Sequence, residues 1–206
     1  MFTRGRLFLH LSLLSFGAVS ISPAGAAALE VHVHNGAELK PVILDRLLSD
    51  LQAILASAGA SADVRTCRGE NVSWCNNPSA GARVLYLEIL AGTGEKIKDI
   101  RHPPLGRSVA NAGGDYATIY LATVQSLAER ANVPWTAVAP YAAAHEIGHL
   151  LLGSNAHTRN GVMKDTWDAK DLLAMYQNAV HFAPEQKPQI ANCCGERRGG
   201  ELSAAH

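Results

Sequence analysis

Residues 29–34 alternate apolar and polar side chains, which is the period of a half-buried strand; His32 and His34 fall on its polar side, read as a solvated strand face rather than a metal site. After a turn at Asn35-Gly36, apolar residues recur at 43, 44, 47, 48, 51, 54 and 55. That is helical spacing, and it predicts a helix over 41–58 with Gly59 as its stop. A second strand is expected over 62–67, followed by a loop over 68–82 rich in Gly, Asn, Pro and Ser. Residues 83–90 are β-prone and almost continuously apolar, as in a buried central strand. Another loop, over 91–106, leads to a short strand at 108–111 and a further strand over 115–122. A short helix is expected over 125–132, and a long apolar helix over 135–152, with Pro134 near its start and Gly153 ending it. Asp168 and Asp171 stand at capping-box spacing and predict a last helix, over 168–180. From Pro184 the chain is polar and reads as a poorly ordered tail. The order of elements implies one α/β domain over 29–183 with a small C-terminal part.

The first 28 residues stand apart from this pattern. Arg4 and Arg6 precede an apolar run over 7–21 and a small-residue segment ending at Ala28. This is the layout of a secretory signal peptide, so a secreted or periplasmic protein is expected. The apolar run is short for a membrane span, and no later segment is long and apolar enough to be one. Removal of residues 1–28 takes away two of the 18 basic residues and none of the 18 acidic ones, leaving 16 against 18, or net −2. With 48% apolar and 17% charged residues the composition is that of a globular domain. No basic patch points to a nucleic-acid partner. Export would place the four cysteines in an oxidising compartment. Cys67 and Cys75 are spaced to close a small disulfide loop, whereas Cys193 and Cys194, adjacent in the tail, leave their pairing open.

The chemistry concentrates in the long apolar helix. His145 and His149 lie at i and i+4, on one helix face, where both imidazoles can reach one ion. Glu146 follows the first histidine and can reach a water on that ion without ligating it. Two histidines and a glutamate in a run such as Tyr141 to Leu152 need a reason, because burying unpaired polar groups costs roughly 1–3 kcal/mol each. Gly153, His157 and Met163 follow.

His145, Glu146, His149, Gly153, His157 and Met163 together resemble the signature of the metzincin clan of zinc peptidases. The resemblance is specific over residues 141–165. It implies one Zn²⁺ held by His145, His149 and His157, Glu146 as general base, and Met163 packed beneath the metal. It also implies a compact fold: a twisted mixed sheet with a backing helix at 41–58, an active-site helix, and a small C-terminal subdomain ending in a helix. The implied activity is endopeptidase cleavage of a peptide or protein substrate by a monomer, with 115–122 as an edge strand that pairs with the substrate.

The spacing departs from the signature. Gly153 lies four residues after His149 instead of three, and His157 lies eight after instead of six, which puts Asn155 at the usual ligand position. His157 is the expected third ligand, with Asp165, Asp168 and Asp171 as carboxylate alternatives. For the oxyanion donor the sequence offers Tyr116, Tyr120, Tyr176 and Trp167 without a preference.

Overall fold

A computed structural model describes residues 29–93, 104–153 and 156–193. The expected signal peptide (1–28), Asn155, Cys194 and the rest of the tail lie outside them. The fold is α/β. Five strands, β1 (Leu29–Asn35), β2 (Ala62–Thr66), β3 (Arg83–Leu90), β4 (Gly106–Asn111) and β5 (Gly114–Tyr120), form one sheet in the order β2-β1-β3-β5-β4. Four of them run parallel and β4 is antiparallel to β5. Parallel neighbours require crossover connections. The first is α1 (Pro41–Ser57), which ends where Gly59 takes the left-handed conformation (φ 90°).

One sheet face carries Val31, Val33, Leu85, Leu87, Ala117 and Ile119, all fully buried against α1 and the long helix α4 (Trp135–Leu152). Each such aliphatic side chain contributes ~1.5–3 kcal/mol of transfer free energy. α4 is apolar nearly all round because it is covered nearly all round: α1, α3 (Leu121–Arg130), β4 and β5 pack on it. Ala142, Ala143 and Ala144 allow these neighbours to approach closely. Arg83 of β3 pairs with Asp115 of β5 (2.6 Å) and donates to the Leu150 carbonyl (2.8 Å), fastening the last turns of α4 to the sheet.

The opposite sheet face departs from the alternation read for β1. His34 is exposed, beside Glu88 (3.4 Å), but His32 is only 2% exposed and Glu30 only 1%. The reason lies in the segment expected to be a plain loop. It holds a 3₁₀ turn (Gly69–Asn71) and a short helix, α2 (Val72–Asn76), tied down by the expected Cys67–Cys75 disulfide. Trp74 of α2 packs on the His32 ring with centroids 4.4 Å apart. Further along the same face, Tyr86 and Tyr116 stack at 5.0 Å and remain exposed, so β3 is central but buried on one face only.

Two more expectations are corrected. β5 is not an edge strand: β4 covers it and is itself the edge. The sequence could not rank the two, because pairing order is not encoded in either strand's own pattern. The described part of the tail, residues 184–193, is also not unstructured. α6 (Lys187–Asn192) packs on α4, with Ile190 fully buried. Its few apolar residues were too sparse to register as periodic. The helix begun by the Asp168 capping box, α5 (Ala169–Tyr176), stops four residues early. Asn178 turns left-handed (φ 55°) and Ala179 N–H bonds back to the Ala174 carbonyl (2.8 Å), closing the helix end.

Candidate metal centre

α4 projects His145 and His149 from one face, with the two Nε2 atoms 3.1 Å apart. His145 Nδ1 donates to the Val162 carbonyl at 2.8 Å, which leaves Nε2 as the lone-pair nitrogen. His157 comes from the following loop. Its ring lies 4.8 Å from that of His149 and 5.3 Å from that of His145. One ligand atom from each of the three histidines falls within 4.8 Å of the other two. A tetrahedral ion with nitrogen ligands at ~2.0–2.1 Å spaces them by about 3.3 Å, so this donor set fits a metal such as zinc. Burial pulls His145 down to about 4, with the neighbouring histidines adding to that and the Val162 carbonyl opposing it. Burial likewise lowers His149. Both rings are therefore neutral at pH 7, as ligation requires.

The carboxylate alternatives are occupied elsewhere. Asp168 caps α5 through the Lys170 and Asp171 amides, and Asp171 returns the capping bond and pairs with Lys164. Asp165 lies behind the third histidine, its oxygen 3.3 Å from His157 Nδ1. That is the place of a carboxylate that orients a ligand.

The turn after His157 is held on three sides. Thr158 N–H bonds to the Met163 carbonyl (2.9 Å), and Val162 N–H bonds to the His181 carbonyl (3.1 Å). Gly161 (φ 87°) lies so close to the His181 carbonyl that no side chain fits. The turn drives the fully buried Met163 under the helix, where its thioether occupies the space a side chain at Gly148 would need. Gln186 in the C-terminal segment donates to the Ala156 carbonyl (2.7 Å), and Gln189 donates to the Leu152 carbonyl (3.3 Å). The supposed tail thus clamps the loop that carries His157.

Glu146 is buried beside β4. Burial raises its pKa to about 7 against the opposing hydrogen bond of Ser108. Gly106 of β4 makes room for it: an added Cβ would stand 2.6 Å from Glu146 Cγ and would also meet the Thr118 carbonyl. Gly106, Ser108, Gly148 and Gln186 carry no local signal, because their roles are set by partners distant in sequence.

These groups line a cleft of about 600 Å³, walled by β4, α3, α4 and the segment 164–167. Of the four candidate oxyanion donors only Trp167 reaches it, packed edge-on to His145 at 5.6 Å. Tyr116 donates instead to the Gly113 carbonyl, and Tyr176 lines a separate cavity between α1 and α4.

No family model and no curated protein matches the chain. Among solved structures it is similar to the archaemetzincin of Methanopyrus kandleri, at 16% identity and a TM-score of 0.47, over 84% of this chain and 98% of that one.

Proposed function

We propose that the chain is an exported zinc-dependent endopeptidase. The observation that carries this reading is the convergence of His145, His149 and His157 beside a buried glutamate at the floor of an open cleft. Zinc, when bound, supplies a Lewis acid that polarises the scissile carbonyl and lowers the pKa of a coordinated water towards ~7. Glu146 accepts the attacking water's proton at its carboxylate and delivers it to the leaving amine. Its raised pKa suits a group that must both take and give a proton near neutrality. Ser108 orients the carboxylate, and Asp165 orients His157.

β4 supplies the substrate ledge. It is the edge strand on the cleft side of the sheet, its Gly106 and Ser108 line the cleft, and an extended peptide can add to it as a further strand. An extended peptide crossing the cleft in this way suits an endopeptidase. Among the described residues no helix is long and apolar enough to cross a membrane. The Cys67–Cys75 disulfide is consistent with export to an oxidising compartment.

Metal analysis combined with a peptide library tests the proposal. Purified chain carrying one zinc should cleave internal bonds of library peptides, and chelation should stop it. A protein with stoichiometric zinc that cleaves nothing is a binding protein, and one that takes up no metal overturns the zinc reading altogether.

Gly106→Ala is a sharper probe of the geometry. The new methyl group would stand against the Thr118 carbonyl and 2.6 Å from Glu146 Cγ, so β4 must shift and Glu146 is displaced with it. A shift of about 1 Å in a catalytic group can lower turnover ~10²-fold. We expect kcat to fall by that order with zinc content unchanged. An unaltered kcat would mean that Glu146 is not the base.

A further inference from the structure

Among the described residues, four buried side-chain polar atoms lack a hydrogen-bond partner: His149 Nδ1, Thr123 Oγ1, Trp167 Nε1 and His32 Nδ1. The first three belong to residues that line the cleft. His32 lies on the opposite face of the sheet and marks a different place.

There its Nε2 is engaged by Glu30 Oε2 at 3.1 Å, and Glu30 is held in turn by the Ser79 amide at 2.8 Å. With Nε2 facing the Glu30 carboxylate, the ring proton belongs on Nε2 and Nδ1 carries the lone pair. His32 offers a ring nitrogen within 4.8 Å of the sulfurs of both Cys67 and Cys75. Carboxylate, imidazole and two sulfurs in that order are the ligands of a metal site together with the partner that orients the histidine. The disulfide is what closes it.

We propose that reduction of the Cys67–Cys75 disulfide opens a second metal site, in which the two thiolates and His32 Nδ1 hold one zinc ion. Two thiolates and an imidazole select a borderline-soft d¹⁰ ion over magnesium or calcium. The reductant is a dithiol. One of its sulfurs attacks Cys67 or Cys75 and breaks the S–S bond, and the mixed disulfide is resolved by the second sulfur. The dithiol leaves oxidised, and two electrons and two protons have passed to the cysteines. Zinc binding then releases those two protons to solvent, while His32 ligates as the neutral ring with its proton towards Glu30. Both cysteines are half-buried, so a reductant can reach them. Trp74 lies over the imidazole and Arg65 over the indole (5.0 Å), shielding the site from the side of α2. His34, on the same strand face, takes no part, being exposed and paired with Glu88.

Cobalt titration of the purified chain, oxidised and then reduced with a phosphine under anaerobic conditions, tests this. The reduced chain should take up one more equivalent than the oxidised chain. A thiolate-to-cobalt charge-transfer absorption should appear and then vanish when zinc is added. Replacing both cysteines, Cys67→Ser with Cys75→Ser, should remove the extra equivalent and the absorption together. His32→Asn should weaken the extra site more than 10-fold, and Glu30→Gln by ~10-fold. Equal uptake in the two redox states overturns the proposal. So does an absorption that survives in the double serine variant, which would assign it to Cys193 and Cys194, or a folded His32→Asn chain that binds as wild type. Should His32→Asn fail to fold, the double serine variant decides alone. Failure of the histidine triad to bind would lower both redox states equally and leave their difference intact.

Discussion

Glu146→Ala should lower peptide hydrolysis by at least ~10²-fold and leave the metal content unchanged. The carboxylate stands outside the cluster in which the three histidines converge, on the β4 side of the cleft against Gly106 and Ser108. Its removal therefore subtracts proton transfer and little else. General-base catalysis contributes typically ~10²–10⁴-fold, and kcat should fall within or beyond that range. The helix tolerates the change, since alanine is the best helix former and a buried carboxylate with a raised pKa is not a stabilising group at neutral pH. Zinc content by mass spectrometry, kcat on a cleaved library peptide, and circular dichroism form the necessary set. Zinc at one equivalent with kcat unchanged would remove Glu146 from the mechanism. Zinc lost together with activity would make it a ligand.

His157→Ala should weaken zinc binding by more than ~100-fold, beyond what loss of an orienting partner produces, while Asp168→Ala leaves it unchanged. The difference follows from where the structure commits each side chain. His157 faces the other two histidines with Asp165 behind it. Asp168 is exposed, accepts from two amides of α5 and pairs with Lys164, so its loss removes a helix cap and leaves the histidines in place. Competition with a chromogenic chelator measures the first effect and thermal unfolding the second. Metal affinity lost in Asp168→Ala and kept in His157→Ala would move the third ligand to the N-cap of α5.

Much of the site was legible because it is local. His145 and His149 share a face by helical period alone, and the apolar run around them required the rest of the helix to be buried. The eight residues from His149 to His157 raised the question of reach, and the answer needed the turn itself. Thr158, Gly161 and Val162 fold back on Met163 and His181, and Gln186 holds Ala156, so the longer loop still delivers the imidazole. Gln186 had no signal in the chain, since a glutamine in a polar segment is indistinguishable from a solvated one until its partner is known. The same holds for Gly106, whose role is the space it leaves for Glu146.

The histidines of β1 show the limit from the other direction. The alternation of residues 29–34 correctly separated the two faces of the strand but could not say what lay over the second one. A 15-residue stretch read as loop folded a Trp-bearing helix onto it, turning a solvated face into a buried Glu30–His32 pair under Trp74, beside a disulfide.

By itself, then, the sequence determined the main strands and the helices α1 and α4, the i, i+4 pairing of His145 and His149 with Glu146 between them, the Cys67–Cys75 loop and the cap of α5. All of these depend on spacings of a few residues, which backbone geometry converts directly into proximity. Only the tertiary structure decided that β4 and not β5 forms the sheet edge, that His157 and not a carboxylate meets the two helix histidines, and that His32 is buried against two sulfurs. Those outcomes depend on which distant segments cover which faces, and covering is a property of the packed whole that no local period contains.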